Sequence, residues 1–221
     1  MAVKIKCPFH EEATPSCAVY PDHYYCFGCR KYGPLSDLKG VVEVPDQPPQ
    51  KKDDIAAKMT YIKTLPKREY RGLVLPCDAR GAYIVWQDRR YFIKRFFNPA
   101  PTKYYRPAGH RPPLFTAKWK SYRKVYVVEG ELNALSVAQA VPDSVVSPGS
   151  ATNFAKYLPY LSKYDKVVIV ADRDNAGTLA AMELSSQLEK DKKVVLMEKD
   201  ANGWLVHHGR ESLKRRLEKF Y

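Results

Sequence analysis

The strongest hydrophobic pattern runs from residue 124 towards the carboxyl end. Short runs dense in β-branched residues alternate there with stretches that carry apolar side chains at helical spacing. KVYVVE reads as a strand, LNALSVAQAV as a helix, and SVVSPG as a short strand ending in a turn. KVVIVAD reads as a strand, AGTLAAMELSSQLEK as a helix, KVVLME as a strand, and residues 209–221 as an amphipathic helix. Strands and helices that alternate at this spacing predict a parallel sheet covered on both faces. Upstream, GLVLP, GAYIVWQ and RYFIKRFF predict strands split by turns, and residues 55–65 a short helix. Tyr91, Phe92, Phe96 and Phe97 read as strand core. Residues 98–113 hold five prolines and predict an irregular loop.

The amino-terminal 40 residues differ. They are poor in core-forming side chains and rich in Cys, His, Tyr and Gly. Residues 41–54, VVEVPDQPPQKKDD, have linker composition.

Charge changes the picture next. The chain of 221 residues has 37 Lys and Arg against 24 Asp and Glu, a net +13. Residues 58–122 hold 15 basic and 3 acidic residues, so nearly all the excess sits in that stretch. Surfaces kept soluble by charge usually mix the signs, so this stretch reads as a phosphate-contacting face for nucleic acid. No apolar run approaches the roughly 18 residues of a membrane-spanning helix. The opening MAVKIKCPFH has no apolar signal core, which argues against secretion. Five unevenly spaced cysteines fit a metal site in a reducing compartment better than a disulfide scaffold.

Cys7-x2-His10 and Cys26-x2-Cys29 form two short knuckles fifteen residues apart. Four such donors close a tetrahedral shell around Zn²⁺, which makes the site structural rather than catalytic. Zinc binding, worth on the order of 10 kcal/mol or more in small modules, would supply the fold this segment cannot build from apolar residues. Gly28 is expected to permit the tight turn of the second knuckle. Cys17 and His23 compete as ligands but lack a knuckle partner. Tyr20, Tyr24, Tyr25 and Phe27 either stack on bases or pack around the metal.

A second centre is expected at the strand ends. Glu129 follows KVYVV, and Asp172 and Asp174 end or follow KVVIVA. Open parallel sheets bind ligands at the carboxyl ends of their strands. Carboxylates gathered there repel one another without a cation, and hard oxygen donors suit Mg²⁺ or Mn²⁺ in phosphoryl transfer. Asp200, after a third strand, reaches the same rim or caps a following helix. Asn175 is a candidate cap for the helix after Asp174. Glu131 supports the site or faces solvent. Lys94, Arg95, Lys103 and Arg106 are the expected phosphate contacts, with His110 and Arg111 as additions near a triphosphate. Cys77 reads as a buried, inert thiol.

These motifs resemble a known family. Cys7-Pro8-Phe9-His10, Thr14-Pro15-Ser16 and Cys26-Phe27-Gly28-Cys29 resemble the zinc domain of bacterial-type replicative primases. Val128-Glu129-Gly130, Asp172-Arg173-Asp174 and Ala176-Gly177 resemble the TOPRIM fold that those primases share with type IA and II topoisomerases. Lys103-Tyr104-Tyr105-Arg106, Pro113-Leu114-Phe115 and KDANGWLVHHG are similar to the primase half of phage primase–helicases.

The resemblance implies an α/β chain in four parts. A small zinc-ribbon-like domain (1–40) and a linker (41–57) precede a basic α+β subdomain (58–122) and a TOPRIM parallel-sheet domain with its carboxyl-terminal helix (123–221). It implies a DNA-dependent RNA polymerase that makes short primers on a single-stranded DNA template from ribonucleoside triphosphates. Glu129, Asp172, Asp174 and Asp200 would hold Mg²⁺ or Mn²⁺, and Glu129 would lie nearest the reacting phosphate. It further implies a bacterial cytoplasm, or the host's if the chain is phage-encoded, and a helicase on a separate chain, since no helicase domain follows Tyr221.

The sequence departs from the family at Asn133, where Asp is usual, at Gly203, where an acid is common, and at Cys17, in place of an aromatic residue. Competing functions are a TOPRIM nuclease and a catalytically weak zinc-containing accessory protein that binds single-stranded DNA.

Overall fold

The computed structural model describes residues 3–20, 23–38, 40, 52–98 and 102–218. Most of the expected linker, residues 41–51, lies outside them. The chain forms two compact units, Met1–Asp53 and Asp54–Tyr221.

The first unit is a four-stranded antiparallel sheet in sequential order, with β1 (Val3–Ile5), β2 (Cys17–Val19), β3 (His23–Cys26) and β4 (Tyr32–Pro34). One turn of 3-10 helix, Leu35–Leu38, follows. Its small core gathers Cys7, Cys17, Val19, Tyr24, Cys26 and Leu38. The expected division among the aromatics is resolved: Tyr24 is buried and stacks on Phe9 at 5.5 Å, whereas Phe27 is 60% exposed.

The second unit begins with α1 (Ile55–Thr64), capped by Asp54, whose carboxylate accepts from Ala57 N at 3.0 Å. A hairpin follows, β5 (Lys67–Tyr70) against β6 (Leu73–Pro76). Then come β7 (Gly81–Val85), β8 (Phe92–Phe96) and β9 (Tyr104–Tyr105) in a three-stranded sheet. Tyr91 and Phe92 enter the core as expected, but Phe97 is largely exposed against Tyr70. Cys77 is buried and donates its thiol to Leu75 O.

The main sheet has five strands in the order β10 (Phe115–Lys118), β12 (Ser144–Ser147), β11 (Lys124–Val128), β13 (Lys166–Asp172) and β14 (Asp191–Met197). It is parallel except at β10, which runs antiparallel to β12. Both faces are covered. Val125, Val127, Val167 and Ile169 pack with Ala181 and Leu184 of α4 (Asn175–Gln187), while Tyr126, Val128, Val168 and Val170 pack towards α2 (Glu131–Ala140) and α5 (Ala201–Glu218). A short helix α3 (Leu158–Leu161) lies between β12 and β13 in sequence. The expected helix at 209–221 is, up to Glu218, the second half of α5, which bends at Gly209, where φ is 77°; residues 219–221 lie outside the described residues.

Strand β8 corrects one expectation. Adjacent residues of a strand point to opposite faces, so Lys94 and Arg95, both expected phosphate contacts, lie on opposite faces of β8. Lys94 is only 7% exposed, and its ammonium pairs with Asp78 at 2.6 Å beneath the Tyr83 ring. Asp78 also accepts from Tyr83 Oη at 2.8 Å and from the Arg80 and Gly81 amides. Burial raises the Asp78 pKa, but Lys94 and Tyr83 outweigh that and hold it at about 2. Lys94 is thus a structural cation. Removing one partner of such a pair leaves a buried, uncompensated charge, so Asp78→Ala should lower the stability of this unit by about 3 kcal/mol. All three tryptophans, Trp86, Trp119 and Trp204, lie in this unit. Urea unfolding followed by Trp fluorescence therefore reads it, and an unshifted midpoint would contradict this role.

Candidate functional site

In the first unit the ligand atoms of Cys7, His10, Cys26 and Cys29 all lie within 4.8 Å of one another. Cys7 and Cys29 Sγ are 3.7 Å apart, and Cys26 Sγ is 3.8 Å from His10 Nδ1. A zinc tetrahedron with Zn–S bonds of about 2.3 Å has S···S edges of about 3.8 Å, so the donor set fits that ion. Cys26 Sγ accepts from Gly28 N at 3.3 Å and Cys29 N at 3.4 Å. Burial raises its pKa, but the Ser16 hydroxyl 3.2 Å away and those amides more than compensate and hold the thiol at about 6. Burial pushes Cys7 up to about 12 in the absence of metal.

Gly28 lies in the turn at residues 27–29, as expected, but its φ is not positive; a Cβ there would sit 2.5 Å from His10 Nε2 and 2.9 Å from Ser16 Oγ, so what the glycine supplies to that turn is space. Cys17 lies opposite Cys26 in the β2–β3 register as a buried thiol outside the four-donor group. His23 stacks on Tyr20 at 4.5 Å, also outside it.

Glu12 is the residue that motif spacing did not flag. Its carboxylate accepts from Cys7 N at 2.7 Å, from Ser16 N at 2.9 Å and from the Ser16 hydroxyl, and lies 3.2 Å from His10 Nε2. The hydroxyl of Ser16, with the two amides, holds its pKa at about 2. A carboxylate on the outer nitrogen of a ligating histidine fixes the ring and its tautomer. Glu12→Gln should therefore weaken zinc binding about 10- to 100-fold in a chelator competition, with Trp fluorescence of the second unit unchanged. Unaltered affinity would show that Glu12 merely tidies the loop.

In the second unit, β11 ends alongside β13, and Glu129 N donates to Val170 O at 3.2 Å. A cavity of about 210 Å³ opens at this rim. Glu129, Asp172 and Asp200 supply its acidic wall, and Arg71, Arg95 and Lys103 its basic wall. Among the described residues, Glu129 Oε2 is buried with no hydrogen-bond partner. Burial and then the Asp174 charge raise the Glu129 pKa. Asp172 is pushed to about 7, first by burial and then by Glu129, Asp200 and Asp174, with Lys103 opposing. Gly177 makes this convergence possible: a Cβ there would lie 2.5 Å from Asp172 O and within 3.2 Å of both Glu129 Oε2 and Asp174 Oδ1. An orphaned carboxylate oxygen among mutually repelling acids fits a hard divalent cation.

Asp174 caps α4, accepting from Gly177 N at 2.6 Å, so the cap is Asp174 and not Asn175. Asp200 both lines the cavity and accepts from Gly203 N at 2.5 Å. Asn133 also lines the cavity, and its side-chain oxygen accepts from Asn202 N at 3.0 Å. Asn202 is fully buried, binds the carbonyl and guanidinium of Arg71, and donates to Ser136 Oγ at 2.9 Å. This network aims Arg71, which the sequence reading did not single out and whose φ is 52°. Arg95 donates to Tyr70 Oη at 3.1 Å and lies over the Tyr104 ring. Arg106 pairs at 3.0 Å with Glu131, which is 2% exposed and so supports the site from within. Arg111 is exposed, and neither it nor His110 lines the cavity. A wider cavity of about 540 Å³ along α5, beside Trp204, Ser212 and Arg215, gathers no comparable carboxylates.

Sequence comparison finds two family matches, a "CHC2 zinc finger" at residues 2–41 and a "Toprim-like" domain at 126–205. Curated DNA primases of Chlamydia trachomatis serovar D and Chlamydia muridarum are each 56% identical over 32 residues. That stretch is 14% of this chain and 5% of each relative's length. Among solved structures, the primase fragment of the bacteriophage T7 primase-helicase protein aligns with a TM-score of 0.53 at 18% identity, covering 98% of this chain and 99% of that one. The Aquifex aeolicus primase, comprising its zinc-binding and RNA polymerase domains, gives 0.51 at 20% identity over 98% of this chain and 78% of that one. The DnaG catalytic core gives 0.51 at 16% identity over 63% and 53%. The chain thus joins a CHC2 zinc finger to a Toprim-like domain, and its fold is that of DnaG-type primases.

The raised Asp172 pKa has a measurable sign. Without metal, the folded state keeps a proton on Asp172 up to about pH 7, whereas an unfolded aspartate loses it near 4. The folded state therefore binds more protons in that window, and stability falls as pH rises through it. Asp172→Asn should remove that decline and leave the metal-free protein about 1–3 kcal/mol more stable than wild type above pH 7. Parallel pH–stability curves for the two proteins would refute this assignment.

Proposed function

We propose that a chain combining this zinc finger with this Toprim-like domain is a DNA primase that makes short RNA primers on single-stranded DNA. One observation carries the reading: three carboxylates from three strand ends share a cavity with Arg71, Arg95 and Lys103, and one buried carboxylate oxygen has no partner among the described residues. The proposed reaction is attack by the 3′-hydroxyl of one ribonucleotide on the α-phosphorus of an incoming triphosphate, with pyrophosphate leaving. Bound Mg²⁺ or Mn²⁺ would neutralise charge on the phosphate oxygens.

Glu129 and Asp172 are assigned to hold that ion, with Asp200 beside them. Asp174 is assigned chiefly to the cap of α4, where its charge adds to the site's affinity for cations. Arg71, Arg95 and Lys103 face the same cavity and are assigned to the nucleotide phosphates, with Arg106 steadying Glu131. Fixed donors aimed at developing charge are the main catalytic term in such a site, and holding two nucleotides on one template removes much of the entropic barrier.

We assign residues 1–40 to template selection, 41–57 to the linker, 58–122 to a basic subdomain that holds template and nucleotides, and 123–221 to the metal-binding domain. A replicative helicase is the expected partner of such an enzyme.

The test is primer synthesis on a random-sequence single-stranded DNA pool, with labelled ribonucleotides and either Mg²⁺ or Mn²⁺. Wild type should yield short RNA, and an Asp172→Ala, Asp174→Ala double variant should lose on the order of 100-fold or more. Degradation of the DNA would identify a nuclease instead. Equal yield from wild type and variant would remove these acids from the chemistry.

A further inference from the structure

We infer that Trp119 and Tyr122 form a stacking platform for a single strand of nucleic acid, on the rim of the main sheet opposite the acidic cavity. They lie in the loop from β10 to β11, and that loop is pinned. The buried hydroxyl of Ser144 accepts from Lys120 N at 2.9 Å and Ser121 N at 3.2 Å, and donates to Ser121 O at 2.9 Å. Asp165 N donates to Tyr122 O at 2.9 Å. The loop nevertheless presents Trp119 at 57% exposure and Tyr122 at 49%. Their rings meet edge to face at 6.3 Å, and Tyr122 rests on the buried Tyr164 at 5.2 Å.

A cavity of about 290 Å³ adjoins Trp119. Trp86 and Leu114 give it an apolar floor, and Gln87, Asp88 and Thr116 a polar edge. That combination suits a flat, partly polar group such as a nucleobase.

Charge narrows the partner. Lys120 and Arg123 lie on the loop, and Arg89 and Arg90 on the β7–β8 turn that carries Gln87 and Asp88; all four are exposed. Two exposed acids oppose them, Asp88, which accepts from the Arg90 amide at 3.0 Å, and Asp165 beside Tyr122, so the cations remain in excess. Aromatic faces interleaved with cations match unpaired bases on a phosphate chain; a duplex offers no free base faces. Glu129 lies at the carboxyl end of β11 and this loop at its amino end. Five residues at about 3.3 Å each separate the two rims by about 16 Å, so the platform is distinct from the acidic cavity. Its place in primer synthesis rests on the proposed primase activity, where the strand would be template or nascent product.

The test is fluorescence anisotropy of labelled oligothymidylate with the full chain, without ribonucleotides. A Trp119→Ala, Tyr122→Ala variant should bind about 5- to 100-fold more weakly, whereas Trp119→Phe, Tyr122→Phe should bind like wild type. Lys120→Glu, Arg123→Glu should flatten the salt dependence of binding. Oligouridylate run in parallel separates the two sources, since template and product predict the larger aromatic loss on the DNA and on the RNA respectively. Equal binding by wild type and the alanine variant, or no binding by wild type, would overturn the platform. Aromatic-dependent binding without primer synthesis would keep the platform and reject the primase; primer synthesis with no aromatic dependence would do the reverse.

Discussion

The pairing of β11 with β13 is the interaction on which the second unit turns. Five registered pairs, from Lys124 opposite Lys166 to Val128 opposite Val170, bring the end of β11 alongside β13, which runs two residues further to Asp172. That register brings Glu129 and Asp172 into one cavity, and the next pairing, with β14, places the chain that leads to Asp200. Like charges do not gather spontaneously, so the sheet must hold them. It does so by burying valines and isoleucine on both faces, each worth about 1.5–3 kcal/mol, so the crowding of a few carboxylates is tolerated.

The two units treat a carboxylate in opposite ways. Glu12 is fully engaged by amides, a hydroxyl and an imidazole, and its proton is held off down to about pH 2. Asp172 is crowded by other acids with one lysine in opposition, and keeps its proton to about pH 7. One carboxylate spends its charge on organising ligands. The other withholds its charge because burial and the neighbouring acids disfavour it, and a divalent cation would relieve that cost.

Much of this was legible in the sequence where burial is uniform. The strands and helices after residue 124 announce themselves because strands buried on both faces read as unbroken β-branched runs, and Glu129 and Asp172 stand at their ends. The polar edges were not legible. Strand β5, KREY, is mostly exposed, and β10, FTAK, buries one residue of its four, so neither carries an apolar signal. Arg71 escaped notice for a related reason: it sits in the turn after that polar strand, and only the fold joins it to Asn202, 131 positions away. Glu12 is one of two adjacent glutamates, with no spacing rule to choose between them. The cap of α4 slipped by one residue because Asp174 and Asn175 are equally good caps by type, and only the helix start at Asn175 decides.

Strand β8 has a wider consequence. Lys94 on one of its faces belongs to a buried ion pair, and Arg95 on the other opens onto the cavity. A single ribbon of backbone therefore separates a charge that serves folding from one that lines the cavity. Neighbouring codons are thus held by different constraints: position 94 is tied to its buried partner Asp78, whereas position 95 can change without breaking that pair.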